Sequence, residues 1–287
     1  MNAVGFFDRH VTLKSGAQIE RMAVAGRVVG ELLDHLAQEL RPGLTTEELD
    51  DMARAFLRER DATPSFIGEP GPRGAYRHAL CISIDAQVVH GVPGRRRIAE
   101  GQIVSIDAGA IVDGWHGDAA RSFVVGEVPE ASRRLVEATR EAMAAGIAAA
   151  RPGNHLEDIA GAVEDVALAH GYGVVRAFVG HGIGTAMHEE PQVTNYRLGR
   201  PGRRLEVGLC LAIEPMFTLG DATVRVSDDG WTVVTADGSL AAHWEHSIAV
   251  TASGPRILTV SGAASNVSGA AGSVLGAGER LSDAPST

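Results

Sequence analysis

The segment RPGLTTEELDDMA, which begins at Arg41, returns as RPGNHLEDIAGAV at Arg151. At an offset of 110, Arg-Pro-Gly falls on Arg-Pro-Gly, Glu47 on Glu157, Glu48 on Asp158 and Leu49 on Ile159. In each copy an apolar-periodic helix (about residues 17 to 40, and 131 to 150) stops at the Pro-Gly break and a second helix begins. Thr45 with Glu48 forms a capping box for the second helix of the first copy. The correspondence continues in the same order. His90-Gly91-Val92-Pro93 is echoed by His181-Gly182-Ile183-Gly184, GQIVSID ending at Asp107 by GLCLAIE ending at Glu214, and DAARSFVV from Asp118 by EHSIAV from Glu245. This repetition implies an α+β fold of two pseudo-symmetric halves, about residues 11–125 and 131–260, each running helix, helix, antiparallel strands. Packed face to face, the halves bring their carboxylates together at the seam. Residues 1–260 are expected to form one domain.

The run EGQIVSIDAGAIVDGWHGDAARSFVVG alternates as a strand, turns at Asp113-Gly114 and alternates again, the pattern of a β-hairpin. A two-residue turn pairs Val112 with Trp115, so Asp118 lies opposite Gly109 and Asp107 points to the same face. The two carboxylates become diagonal neighbours with backbones roughly 7–8 Å apart, and a bulge in the hairpin would tighten that geometry. Glu214, in Ile213-Glu214-Pro215, and Glu245, in Trp244-Glu245-His246, hold equivalent places in the second half. Any one of these acids alone reads as a solvated strand face or a turn cap. Four together, with no Lys or Arg beside them, are costly to bury unless cations join them.

The stretch FVGHGIGTAMHEEPQV sets His181 and His188 seven positions apart around Gly-Ile-Gly. That is not the H-E-x-x-H helix face of zinc proteases, and Gly182 and Gly184 argue against a helix there. The spacing leaves open whether these histidines are ligands or hydrogen-bonded structural residues. The repeat places His181 with the four acids. An oxygen-rich set with one imidazole suits two divalent ions, manganese, iron or cobalt, sharing bridging carboxylates. Ions in such a site acidify water, and the set is built for hydrolysis.

The formal net charge is −10 and there is no long basic run, which speaks against nucleic acid or an anionic membrane as partner. No apolar segment approaches the length of a membrane span, and the N-terminus lacks a charged leader with an apolar region behind it. Cys81 and Cys210 each sit in an apolar run and read as buried free thiols. A cytoplasmic location is expected. The segment from 261 to 287 is rich in Gly, Ser and Ala without apolar periodicity and is expected to be a disordered tail.

The motifs VVHGVP, SIDAGAIVDGWHGDAARSF, GHGIG with HEEPQV, AIEPMF, DGWTVVT and WEHSIAVT follow one another over roughly residues 11 to 260. In this order the chain resembles the type I methionine aminopeptidases of the M24 metallopeptidases. The resemblance implies the pita-bread fold and metal-dependent removal of the initiator methionine, by an activated water, from nascent proteins and peptides with a small second residue. It implies a monomer that meets polypeptide N-termini at the ribosome. By that similarity Asp107, Asp118 and Glu245 hold one ion, while Asp118, His181, Glu214 and Glu245 hold the other. His188 donates to the scissile carbonyl oxygen, Glu214 also shuttles a proton to the leaving amine, and His90 contacts the peptide near its first residue. Phe66, Tyr76, Cys81 and Trp231 fall where relatives line the methionine pocket, and Met187 stands where Phe is frequent. Glu189 and Glu190 match the motif and take structural or solvated roles.

The chain departs from the pattern in SFIGEPGPRGAYRHALC, a longer loop that carries Glu69, Pro70 and Pro72 where aromatic residues are common. Asp85 replaces an Asn common beside a monovalent-cation site, so no such ion is assigned. X-Pro dipeptidases and aminopeptidase P share the five ligands but carry a large N-terminal domain, where about ten residues precede the match here. Type II enzymes insert a helical segment between the last two ligands, whereas Glu214 and Glu245 lie 31 positions apart. Non-catalytic proteins on this fold have usually lost ligands, and all five are present.

Overall fold

Ser15 opens the first helix, α1 (Gly16–Glu39), by a capping box in which its hydroxyl accepts from Gln18 N–H while the Gln18 side chain accepts from Ser15 N–H. The computed structural model describes residues 11–262. The second helix, α2 (Thr46–Arg58), starts at the expected Thr45–Glu48 box. Five strands follow: β1 (Thr63–Pro64), β2 (Leu80–Ile84), β3 (Gln87–Val89), β4 (Ile103–Val112) and β5 (Trp115–Val124). The second half runs α3 (Glu130–Ala149), α4 (Leu156–His170), β6 (Gly173–Val174), β7 (Gly180–Gly182), β8 (Glu189–Val193), β9 (Cys210–Ile213) and β10 (Met216–Thr218). It ends with β11 (Val224–Val226), β12 (Val233–Thr235), β13 (Ala241–His243), β14 (His246–Thr251) and β15 (Gly254–Ile257). The expected tail lies outside the described residues from 263 onward.

The repeat survives in the backbone hydrogen bonds. Gly43 and Gly153 adopt φ of 93° and 98°, a left-handed conformation that glycine enters without steric cost. Gly43 N–H donates to Ile98 O (2.8 Å) and Ile98 N–H to Leu44 O (2.8 Å). In the second half, Gly153 N–H donates to Leu205 O (2.9 Å) and Leu205 N–H to Asn154 O (2.7 Å). Residues 98 and 205 are 107 positions apart, as are Asp107 and Glu214. The matching turns therefore anchor in equivalent ways β4, which carries Asp107, and β9, which leads into Glu214.

β4 and β5 pair antiparallel from Ile103↔Val124 to Val112↔Trp115, with β2 and β1 on the other edge of β4. Both turn residues have positive φ, Asp113 at 49° and Gly114 at 76°, as a two-residue hairpin turn requires. The ladder is unbroken, so the bulge considered from the sequence is absent. The second half forms a five-stranded sheet in the order β15-β14-β9-β7-β8.

The halves meet where β5 lies against β13 and β14. Ala120 and Glu245 exchange both backbone hydrogen bonds (3.3 and 2.9 Å). Ser247 Oγ donates to Asp118 O (2.7 Å) and accepts from Asp118 N–H (3.1 Å), and Ser122 Oγ does the same for His243 (2.8 and 2.9 Å). Apolar cores lie on either side: Leu32, Leu33, Leu36 and Leu49 with Ile82 and Ile106 in the first half, Ile159, Leu211, Ile213 and Ile248 in the second. α1 packs closely on β5, since a Cβ at Gly117 would sit 2.6 Å from Gly26 N. Among the described residues no helix is long and apolar enough to cross a membrane.

Candidate metal centre and adjoining pocket

Directly paired residues in antiparallel strands project to one face. Asp107 pairs with Cys81 on one side and Ala120 on the other, and Ala120 meets Glu245 across the seam. Cys81, Asp107, Ala120 and Glu245 therefore form one row across both halves. Ala120, with a single side-chain carbon, leaves the space between the two acids open. Asp118, two residues along β5, joins the same face. Beyond Ile213↔His246 the next facing positions are Glu214 and Glu245, and His181 pairs with Ala212, two residues before Glu214. Five side chains from strands far apart in sequence are thus aimed at one volume.

Ligand atoms of Asp118, His181 and Glu245 all lie within 4.8 Å of one another, and all three residues are buried. His181 Nε2 is 3.8 Å from Asp118 Oδ2 and 3.6 Å from Glu214 Oε1. Asp118 is in hydrogen-bonding reach of both Asp107 and Glu245. Burial pushes the Asp107 carboxyl up to about 7. Burial, with the charges of neighbouring acids, raises Asp118, Glu214 and Glu245 well above the usual carboxylate range. His181 Nδ1 sits 2.9 Å from Gly182 O, which can only accept, so the proton is on Nδ1 and the Nε2 lone pair faces the acids. Burial first, then the neighbouring His188, brings the His181 pKa down to about 3, which keeps the ring neutral.

Three of these carboxylate oxygens, Asp107 Oδ1, Asp118 Oδ1 and Glu245 Oε1, are buried and have no hydrogen-bond partner. Orphaned acceptors are costly. Acceptors gathered around a neutral imidazole lone pair fit hard or borderline divalent cations, and the carbonyl that fixes the His181 tautomer is the outer support such ligands have. The donor set fits the ions expected from the sequence.

A second group of predicted residues assembles beside this one. Phe66, Tyr76, Cys81 and Met187 form a buried apolar cluster, with Val92 and Trp231 packed against it. The Tyr76 and Trp231 rings meet edge to face at 4.9 Å, and Tyr76 Oη donates to Leu80 O (2.9 Å). Cys81 joins the two sites, lining the cluster while paired with Asp107. The long loop supplies this wall by folding over Trp231, where a Cβ at Gly71 would fall 2.0 Å from the indole. The His188 ring lies edge-on to His181 with centroids 4.5 Å apart, and its side of the site is solvent-exposed. Partial desolvation by the surrounding protein lowers its pKa against an opposing push from Glu69. His90 adopts a left-handed φ of 58°, packs edge-on to Phe178 and is lowered to about 4 by burial and by His188.

Ser247, Ser122 and Val92 escaped the sequence reading. The two serines are buried hydroxyls on the strands that meet at the seam, and a buried hydroxyl signals a specific partner. Val92 sits inside the HGVP motif and carries no polar signal of its own. Asp85 accepts from Ile103 N–H and Gln102 Nε2 (3.1 and 2.8 Å), a loop-fixing role. Cys81 and Cys210 are buried free thiols.

The profile of metallopeptidase family M24 matches residues 20–252. A methionine aminopeptidase of Clostridium perfringens is 46% identical over 252 residues, spanning 87% of this chain and 99% of that one. Methionine aminopeptidase 1 of Mycobacterium tuberculosis is 47% identical over 261 residues, spanning 88% and 96%. The crystal structure of a methionine aminopeptidase from Rickettsia prowazekii superposes with a TM-score of 0.84 at 36% identity, covering 88% of this chain and all of that one. The chain belongs to metallopeptidase family M24, within its methionine aminopeptidases. The pita-bread fold and the hydrolase class expected from the sequence hold.

Proposed function

We propose that the chain removes N-terminal methionine from nascent proteins and peptides with a small second residue, using two divalent ions, cobalt, manganese or iron. The observation that carries this reading is the set of orphaned acid oxygens facing a neutral His181, beside the apolar cluster of Phe66, Tyr76, Cys81 and Met187. Asp107, Asp118 and Glu245 would hold one ion and Asp118, His181, Glu214 and Glu245 the other. Bound there, the ions supply Lewis acidity that readies water for attack.

The remaining work falls to the chain itself. Glu214, whose carboxylate faces the same volume as His181, takes a proton from water and delivers it to the leaving amine. His188, kept neutral by its lowered pKa, donates N–H to the carbonyl oxygen as negative charge develops. His90 touches the peptide next to its first residue. Phe66, Tyr76, Cys81, Met187 and Trp231 receive the methionine side chain, and their packing excludes water from it. Residues 1–260 serve as one catalytic domain and the segment beyond is dispensable. The protein works as a cytoplasmic monomer that meets polypeptide ends at the ribosome without contacting nucleic acid or membrane.

The deciding experiment offers Met-Ala-Ser, a Leu-first peptide and an X-Pro peptide to chelated protein reloaded with each ion in turn. Free methionine released only after reloading is the expected result. Cleavage of the X-Pro peptide in preference to Met-Ala-Ser would overturn the substrate assignment.

A further inference from the structure

The chain contains one lysine, and the chemistry above makes no use of it. Lys14 precedes α1 and is only 7% exposed. Its Nζ lies 2.5 Å from Glu189 Oε2, 2.8 Å from Thr12 Oγ1 and 3.3 Å from Thr12 O. Thr12 Oγ1 also donates to Glu189 Oε2 (3.0 Å). The other carboxylate oxygen, Oε1, accepts from Thr185 N–H (2.9 Å) and Ala186 N–H (3.3 Å). Burial acts to raise the Glu189 pKa, but the Lys14 hydrogen bond and charge outweigh it and hold the carboxyl below its ordinary value. Glu189 is therefore an anion that gathers residues 12 and 14 on one side and the turn 185–186 on the other.

The surroundings leave this junction little freedom. A Cβ at Gly184 would stand 2.4 Å from Glu189 Oε1 and 2.7 Å from Lys14 Cε, so only glycine fits the pair. Gly184 O accepts from His116 N–H (2.9 Å) and Lys14 N–H donates to Gly208 O (2.7 Å), which ties the junction to β5 and to the approach of β9. The turn fixed in this way carries His188 at its end, one residue before Glu189.

We propose that Lys14, acting through Glu189, is a positioning residue that fixes His188 for its contact with the reacting carbonyl. The inference rests on His188 acting as the oxyanion donor. Without Lys14 the half-buried carboxylate loses its cation and must take a proton or move; either change loosens its hold on Thr185 and Ala186 and lets His188 drift. A displacement of about 1 Å at a reacting group can cost about 100-fold in rate.

The test is a double-mutant cycle on metal-reloaded protein. Lys14→Met, Lys14→Arg, His188→Ala and the Lys14→Met/His188→Ala pair are compared by kcat and KM for Met-Ala-Ser and by bound metal per chain. Lys14→Met should lower kcat by about 10- to 100-fold while KM and metal content change little, and Lys14→Arg should restore most of the loss. In the His188→Ala background the same substitution should have almost no further effect on kcat. Equal losses in both backgrounds, or an unchanged kcat in Lys14→Met, would overturn the proposal. If His188→Ala alone keeps full turnover, the oxyanion assignment fails and the positioning role falls with it, an outcome distinct from the first two. Should Lys14→Met not fold, Glu189→Gln keeps the shape of the side chain, removes its charge and carries the same expectations.

Discussion

Asp118 is the residue on which the two halves depend. Its side chain reaches Asp107, Glu245 and His181, while its backbone is held at both N–H and C=O by Ser247. Asp118→Ala should abolish metal binding and turnover yet leave the fold largely intact, because it removes a costly buried acid and no backbone contact. Elemental analysis and circular dichroism check this, and a variant retaining full activity would refute the two-ion assignment. His188→Ala should lower kcat by about 10²- to 10³-fold, the range for losing one oxyanion donor, with metal content unchanged; an equal fall in both would make it a ligand. The acids were legible in the sequence because each takes a strand position where apolar residues belong. The difference between His181 and His188 was not legible in the spacing. It is set by Gly182 O, which fixes one tautomer, and by the exposure of the other ring.

Elements turn these residues into a site through register. The pairing Val112↔Trp115 follows from Asp113-Gly114 alone, and with it the relation of Asp107 to Asp118. Convergence does not need the bulge, because Glu245, just before β14, is supplied across the small Ala120. Ser247 joins β14 to β5, and Ser247→Ala would leave the buried Asp118 N–H and C=O short of a partner, at a cost of about 1–3 kcal/mol. Urea unfolding should show that loss together with weaker metal retention; unchanged stability would mean that the Ala120–Glu245 and Ser122–His243 bonds hold the seam without it. The loop from 66 to 80 was recognisable as a departure from the family pattern, yet its packing over Trp231 depends on an aromatic ring far away in sequence and has no local signature.

At the scale of the molecule the site is a destabilised region that cations repair. In the chelated protein Asp107 and its neighbours keep protons that an unfolded chain would release at about pH 4. Their folded-state pKa values are raised, so this contribution to stability is full below the ordinary carboxylate value and lost as pH rises through about 7 for Asp107. The chelated protein should therefore melt at lower temperature as pH is raised from 5 to 7.5, and Asp107→Asn should show a shallower decline. Added divalent ion should raise the melting temperature more at the upper end, where protons no longer compete for the ligands. A stability independent of pH in the chelated protein would mean that the acids are not crowded. The sequence by itself determined the two-fold repetition, the helix starts, the central hairpin and the strand positions of the acids that converge with His181, because capping, turn chemistry and strand alternation act over a few residues. Only the tertiary structure decided how far the two halves close on each other, which oxygens are left without partners, and that Lys14 reaches Glu189. Those outcomes depend on packing between segments more than a hundred residues apart, and no local pattern records that distance.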